Sequence, residues 1–209
     1  MRAPPRLRGG IPARLLTLFV GLALFASGIA LQLESKLGLS PWDVLHQGIA
    51  RHTPLSFGVA NIAVGACAIV LAWRLGAQIG FATIANGLCV GAFLQLLTSL
   101  PAVTDLAHEP LGVRIVLLGS GIGLMGLGTG LYIGAAFGAG PRDSLMVVGA
   151  RRTGLRIGIV RAGLELAALG CGAGLGGTIG LGTLAFALLI GPAVEATFWL
   201  LERSTLALA

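Results

Sequence analysis

The sequence predicts an all-α integral membrane protein of about six transmembrane helices, built as two tandem three-helix repeats of inverted topology. Three observations carry that expectation. The 209 residues are 56% hydrophobic and only 11% charged, with mean hydropathy +0.93. An ordinary soluble domain carries about 25% charged residues, so a water-soluble globule is excluded, and disorder is excluded because disordered chains are poor in apolar residues. Apolar segments of spanning length recur along the chain. Finally, the chain aligns with itself at an offset of 100 residues.

Residues 1–14 form a basic N-terminus with Arg2, Arg6, Arg8 and Arg14. The first span, Leu15–Leu33, has signal-peptide flavour around Ala26-Ser27-Gly28. Its apolar run exceeds the usual 7–15-residue core of such a peptide, and it has a full counterpart later, so it is read as retained. Next comes Gly38-Leu39-Ser40-Pro41-Trp42-Asp43. Pro41 suits the first turn of a helix, Ser40 its N-cap, and Asp43 the third position near the positive helix end. A short helix of about three turns is expected there. Spans Leu55–Trp73 and Ile79–Leu97 complete the first repeat, 15–97, with Thr83 and Asn86 as polar groups inside it.

Residues 98–113 carry Asp105, His108 and Glu109 without Lys or Arg, which suits an external connector. The second repeat, 114–201, opens with span Ile115–Ala136 and then Gly138-Ala139-Gly140-Pro141-Arg142-Asp143, a second Pro-x-Asp helix start. The fifth span, Ile157–Leu175, contains Arg161 and Glu165 at i, i+4, close enough to pair on one helix face. A charge at mid-membrane costs about 2.5–3.5 kcal/mol on insertion scales, so these two are either a pair at the cytoplasmic end or part of a solute pathway. The sixth span, Ile179–Leu201, contains Thr183 and then Glu195 after Gly191-Pro192, where proline can free a carbonyl. Glu195 is either a headgroup-level carboxylate or a proton or cation site. Residues 202–209 form the C-terminus.

Between positions 21 and 97 there are 22 identities in 77 pairs at the offset of 100, without a gap. Pro41 and Asp43 meet Pro141 and Asp143, and Gly80 and Thr83 meet Gly180 and Thr183. Three spans per repeat is odd, so the second copy enters from the opposite side, the inverted arrangement of many secondary transporters. Full spanning by segments 39–52 and 139–152 would instead make the repeats parallel. Loop charges set the orientation. With the N-terminus inside, ten bases lie inside (Arg2, Arg6, Arg8, Arg14, Arg74, Arg142, Arg151, Arg152, Arg156, Arg203) against three outside (Lys36, Arg51, Arg114). Both termini are then cytoplasmic.

The run 138–146, Ile159-Val160-Arg161 with Glu165, and Gly176 through Thr183 resemble the YczE/YitT-like bacterial integral membrane proteins over roughly residues 15–200. The resemblance implies a multi-pass protein of the bacterial cell membrane and carries no catalytic residues with it.

Soluble chemistry is not indicated. Walker, HExxH and GxSxG motifs are missing from the sequence, and the three cysteines lack metal-ligand spacing. No metal, cofactor, enzyme activity or nucleic-acid partner is expected. The net charge of +6 reflects topology signals at segment ends. The expected function is a small transporter or permease-like protein for an unknown solute or ion, or else an accessory protein that assists a membrane partner. A homo-oligomer suits either. The candidate site residues are Asp43, Asp143, Arg142, Arg161, Glu165 and Glu195, with Pro41, Pro141, Gly138, Gly140, Thr83 and Thr183 as motif positions. Asp43 and Asp143 are either caps of interfacial helices or groups of a central cavity.

Overall fold

A computed structural model describes residues 10–155 and 157–204. Among these residues every regular element is helical. Helix α1 covers Ile11–Ser35, α2 Pro41–His52, α3 Phe57–Arg74 and α4 Phe81–Thr98. A short α5 at Pro101–Thr104 and a 3₁₀ turn at Asp105–His108 occupy the connector. Then follow α6 (Leu111–Gly134), α7 (Pro141–Thr153), α8 (Ile157–Gly174) and α9 (Leu181–Arg203). Residues Arg2, Arg6, Arg8 and Arg156, and the C-terminal segment beyond 204, lie outside the described residues.

Among the described residues five helices, α1, α3, α4, α6 and α9, are long and apolar enough to cross a membrane. The sequence leads one to expect six. The remaining one, α8, matches α3 and α4 in length at 18 residues but carries Arg161 and Glu165 in its first half. Helices α2 and α7 have 12 and 13 residues. At 1.5 Å per residue they reach about 18–20 Å, short of a hydrocarbon core about 30 Å thick. They therefore do not span.

The start of α2 follows from its cap. The hydroxyl of Ser40 accepts from the Asp43 N–H at 3.3 Å, and Pro41 occupies the first turn. Helix α7 starts in the same way at Pro141, with Gly140 as N-cap. The connector holds more helix than expected, and α6 begins at Leu111, inside segment 98–113, because Pro110 sets its N-cap.

The centre of the molecule is the crossing of α1 and α6. Glycine makes it close. A Cβ on Gly21 would stand 2.9 Å from the Gly128 oxygen, and one on Gly28 would stand 2.5 Å from the Gly121 oxygen. Partner numbers fall on α6 as they rise on α1, so the two helices run antiparallel. Leu18, Leu22, Ile29, Ile122 and Met125 fill the surrounding core. Arginines close both ends. Arg14 donates to the Ala135 oxygen at 2.9 Å, and Arg114 donates to the Ser35 oxygen at 2.7 Å. Each satisfies a helix C-terminus, where a cation is favoured.

The two connecting loops dock crosswise. Gly182 N–H donates to the Leu37 oxygen at 2.7 Å, and Ala82 N–H donates to the Phe137 oxygen at 3.1 Å. Gly38 and Gly138 have φ of +127° and +125°, which a side chain resists. A Cβ on Gly38 would also stand 2.8 Å from the Thr183 nitrogen. The motif threonines sit here rather than at the molecular centre. Thr83 donates to the Ala139 oxygen at 2.6 Å and accepts from Gly80 N–H at 3.2 Å, and Thr183 accepts from Gly180 N–H at 3.3 Å.

Candidate functional site

Helix α7 lies along the second half of α3. Leu145 and Val148 pack with Ala68 and Ala72, and Arg152 donates to the Leu75 oxygen at 2.9 Å. The first residues of α7 therefore lie level with the middle of α3. Helix α2 lies along the second half of α8 in the same manner. A Cβ on Gly172 would touch Leu45, one on Gly48 would touch Leu175, and Arg51 donates to the Gly176 oxygen. The N-terminal ends of the two short helices then face one another. The Arg142 guanidinium sits 5.1 Å from the centroid of the Trp42 ring, a cation–π distance.

A small cavity of about 20 Å³ opens at this meeting point, lined among others by Trp42, Asn61, Asn86, Pro141 and Arg142. That is room for one water molecule. The polar groups around it are arranged in two sets. In the first, Asp43 is fully buried; the Ser40 hydroxyl donates to its Oδ2, and His46 Nδ1 lies 3.2 Å from its Oδ1. Asn61 Nδ2 lies 3.2 Å from the same His46 nitrogen, and the Phe57 ring meets the imidazole edge-on at 6.1 Å. In the second set, the Tyr132 hydroxyl donates to Asp143 Oδ2 at 2.9 Å. The Arg142 charge acts electrostatically on both Asp43 and Asp143.

Burying carboxylates costs several kcal/mol each unless they are paired and hydrogen-bonded. Here the buried Asp43 and the half-buried Asp143 each have a hydroxyl donor, and the Arg142 charge acts on both at longer range. Three buried side-chain atoms among the described residues lack any hydrogen-bond partner: His46 Nε2, and both amide atoms of Gln32. Gln32 stands 100 positions before Tyr132.

Of the expected site residues, the structure brings together Asp43, Arg142, Asp143, Pro41, Pro141 and Gly140. A Cβ on Gly140 would fall 3.4 Å from Asp143 Oδ2 and from the Tyr132 hydroxyl. Gly138 belongs instead to the crosswise loop contact. Arg161 and Glu165 pair with each other at 3.0 Å on α8, half-exposed. The Glu165 charge still acts on Arg142. Glu195 lies on the exposed face of α9, which runs unbroken through Pro192. No group of three or more metal-ligating side chains occurs among the described residues. The sequence reading singles out none of Trp42, His46, Asn61 and Tyr132 as site residues. The Asp43–His46 spacing of i, i+3 is a local signal that these two share a helix face. Nothing local signals Asn61 or Tyr132.

The family model described as a family of unknown function (DUF6198) matches residues 12–198. The chain is 37% identical over 141 residues to the uncharacterized membrane protein YczE of Bacillus subtilis, covering 65% of this chain and 62% of that one. It is 38% identical over 131 residues to an uncharacterized protein of Haemophilus influenzae, covering 62% and 58%. It is 25% identical over 134 residues to the uncharacterized protein YyaS of Bacillus subtilis, covering 62% and 64%. The chain thus spans about three fifths of the length of these curated relatives. No solved structure matches it. With apolar helices of spanning length in contact with lipid, and with the membrane protein YczE as a relative, the chain belongs to the DUF6198 family, as a YczE-like bacterial membrane protein.

Proposed function

We propose that this protein is a small secondary transporter or permease-like carrier, without enzymatic chemistry, whose solute or ion site lies where α2 and α7 face each other. The proposal includes an inverted repeat of α1–α4 and α6–α9. Helix starts at 41, 57 and 81 recur at 141, 157 and 181, and α1 runs antiparallel to α6. Both support a two-fold axis in the membrane plane. Two half-length helices with N-termini near mid-depth are a recurrent way to build a transport site.

The observation that carries the reading is unequal packing of two alike halves. In the first half α3 seals onto α4. A Cβ on Gly91 would stand 2.3 Å from the Ile62 side chain, and the Ser56 hydroxyl donates to Gln95 across the interface. In the second half α8 and α9 make no such interface among the described residues. A Cβ on Gly191 would meet nothing within 4 Å, and Glu195, the counterpart of Gln95, is exposed. One half closed and the other open is the asymmetry that alternating access requires. In the alternate state α8 closes on α9 and α3 parts from α4.

The test is reconstitution of the full chain in proteoliposomes with a metabolite uptake and efflux screen. At least one solute should cross faster than in empty vesicles. A cysteine pair, Ala162→Cys with Gly191→Cys, should cross-link in part of the population, since these positions correspond to Ile62 and Gly91. No transported solute and no cross-link would refute the carrier.

A second reading, an accessory protein that docks on another membrane protein or on a second copy, is favoured by Glu195. A carboxylate on an exposed face of a spanning helix costs about 2.5–3.5 kcal/mol when it lies mid-membrane, and a partner would relieve that. Co-purification of a stoichiometric partner through α9, lost in Glu195→Leu, would select it.

A further inference from the structure

We propose that Asp43 and His46 form a proton-binding site, in which Nε2 of His46 takes up one proton and the resulting imidazolium balances the charge of the central cluster. Its role as the coupling site rests on the transport reading; the site itself does not.

Asp43 and Asp143 bring two negative charges to the cluster, and Arg142 brings one positive. Helix α8, packed against α2, adds Arg161 and Glu165, which pair with each other, and the exposed Cys171. Helix α3, also packed against α2, faces His46 with Asn61 and Phe57, neither of which titrates. Tyr132 on α6 is bonded to Asp143. The cluster is therefore one positive charge short, and its Asp43–His46 half is fully buried, where an unbalanced charge is costly.

Both Asp43 oxygens are engaged, Oδ2 by Ser40 and Oδ1 by His46. That leaves little room for a metal cation at the carboxylate. The imidazole is held by Nδ1, and with Nδ1–H donated to Asp43 the Nε2 lone pair is free. The amide of Asn61 fits that tautomer with its oxygen turned to the ring, an orientation available by a simple flip. Nε2 is fully buried and without a partner. A buried acceptor left unsatisfied costs about 1–3 kcal/mol, and protonation turns it into a donor that a water in the opened site would accept. In the closed arrangement burial, with Arg142, holds His46 below the ordinary histidine value against the pull of Asp43. Opening to water removes the first obstacle. The proton arrives from water on one side, adds to the Nε2 lone pair, and leaves to water on the other side, with Nδ1–H···Asp43 kept throughout. The corresponding residue in the second half is Met146, so a single proton is carried.

Histidine is the side chain whose charge changes in the range of about pH 5–8. The full chain, labelled with ¹⁵N-histidine in lipid nanodiscs, contains His46, His52 and His108, and His46→Gln assigns the first. The neutral Nδ1–H tautomer is expected at high pH, converting to imidazolium within about pH 5–8. Asp43→Asn should lower that midpoint by about one or more on the pH scale, the usual effect of a neighbouring opposite charge. If Asp43→Asn does not insert, Ser40→Ala, which loosens Asp43, should move it in the same direction by less. A His46 that stays neutral across the range overturns the proposal, as does a midpoint indifferent to Asp43→Asn and Ser40→Ala. For any solute found in the uptake screen, His46→Gln should lose acceleration by an imposed pH gradient; an unchanged gradient response overturns the coupling role. A titrating His46 with neither a transported solute nor the Ala162→Cys/Gly191→Cys cross-link refutes the carrier and upholds the proton site.

Discussion

Gly28→Ala and Gly123→Ala, two substitutions of identical chemistry, should have opposite consequences. Gly28 lies in the α1–α6 crossing, where a new Cβ would stand 2.5 Å from the Gly121 oxygen, 2.6 Å from Met125 Cγ and 2.8 Å from the Met125 nitrogen. Two of these are backbone atoms and cannot swing aside. Ordinary contact begins near 3.4 Å, so the helices must part by about 0.9 Å. A gap of 0.5–1 Å forfeits a quarter to a half of each contact's attraction, and it runs along a seam holding Leu22, Ile29, Ile122 and Met125. Overpacking of this kind costs about 1–3 kcal/mol. Gly123 sits on the exposed face of α6, where a Cβ meets nothing within 4 Å. Both alanines gain the same helix propensity, about 1 kcal/mol. The difference between the variants therefore isolates the clash: Gly28→Ala should be less stable than Gly123→Ala by about 1–3 kcal/mol. Equilibrium unfolding in mixed micelles titrated with SDS reads this directly. Equal stabilities within about 0.5 kcal/mol, the scatter expected of surface changes, would refute the close antiparallel crossing.

Thr83→Val should cost about 1–3 kcal/mol, because it strands the part-buried Ala139 oxygen and the Gly80 N–H, whereas Thr183→Val, which loses the 3.3 Å bond to Gly180, should cost less; thermal melts in detergent compare them. Arg14→Ala and Arg114→Ala should each cost about 0.3–1 kcal/mol as lost helix-terminal cations, by the same melts. Asp43→Asn and Asp143→Asn keep a capping oxygen, so membrane insertion should be normal in both while solute transport is lost; retained transport would make both aspartates caps alone. A cysteine at position 105, exposed in the 3₁₀ turn, should be labelled by an impermeant thiol reagent from outside only, which checks the orientation with cytoplasmic termini.

Composition was enough to place the chain in a membrane, because 56% hydrophobic residues with 11% charged leave no way to cover a soluble surface. Local chemistry was enough to start the helices. Proline lacks an N–H and belongs in a first turn, so Pro41 and Pro141 mark where α2 and α7 begin. The span boundaries read from apolar runs fall within a few residues of α1, α3, α4, α6, α8 and α9, since hydropathy and helix length answer to the same bilayer thickness. The i, i+4 spacing likewise announces the Arg161–Glu165 pair. Tertiary structure alone decided which polar faces meet. Asp143 is 11 residues from Tyr132 and His46 is 15 from Asn61, each pair lying on two different helices. Trp42 and Arg142 are brought together only because α2 packs along α8 while α7 packs along α3. Periodicity tells which residues share a face of one helix. It does not tell which neighbour that face will meet, because glycine-lined crossings such as Gly28 on Gly121 set helix partners by shape, and shape belongs to two segments at once.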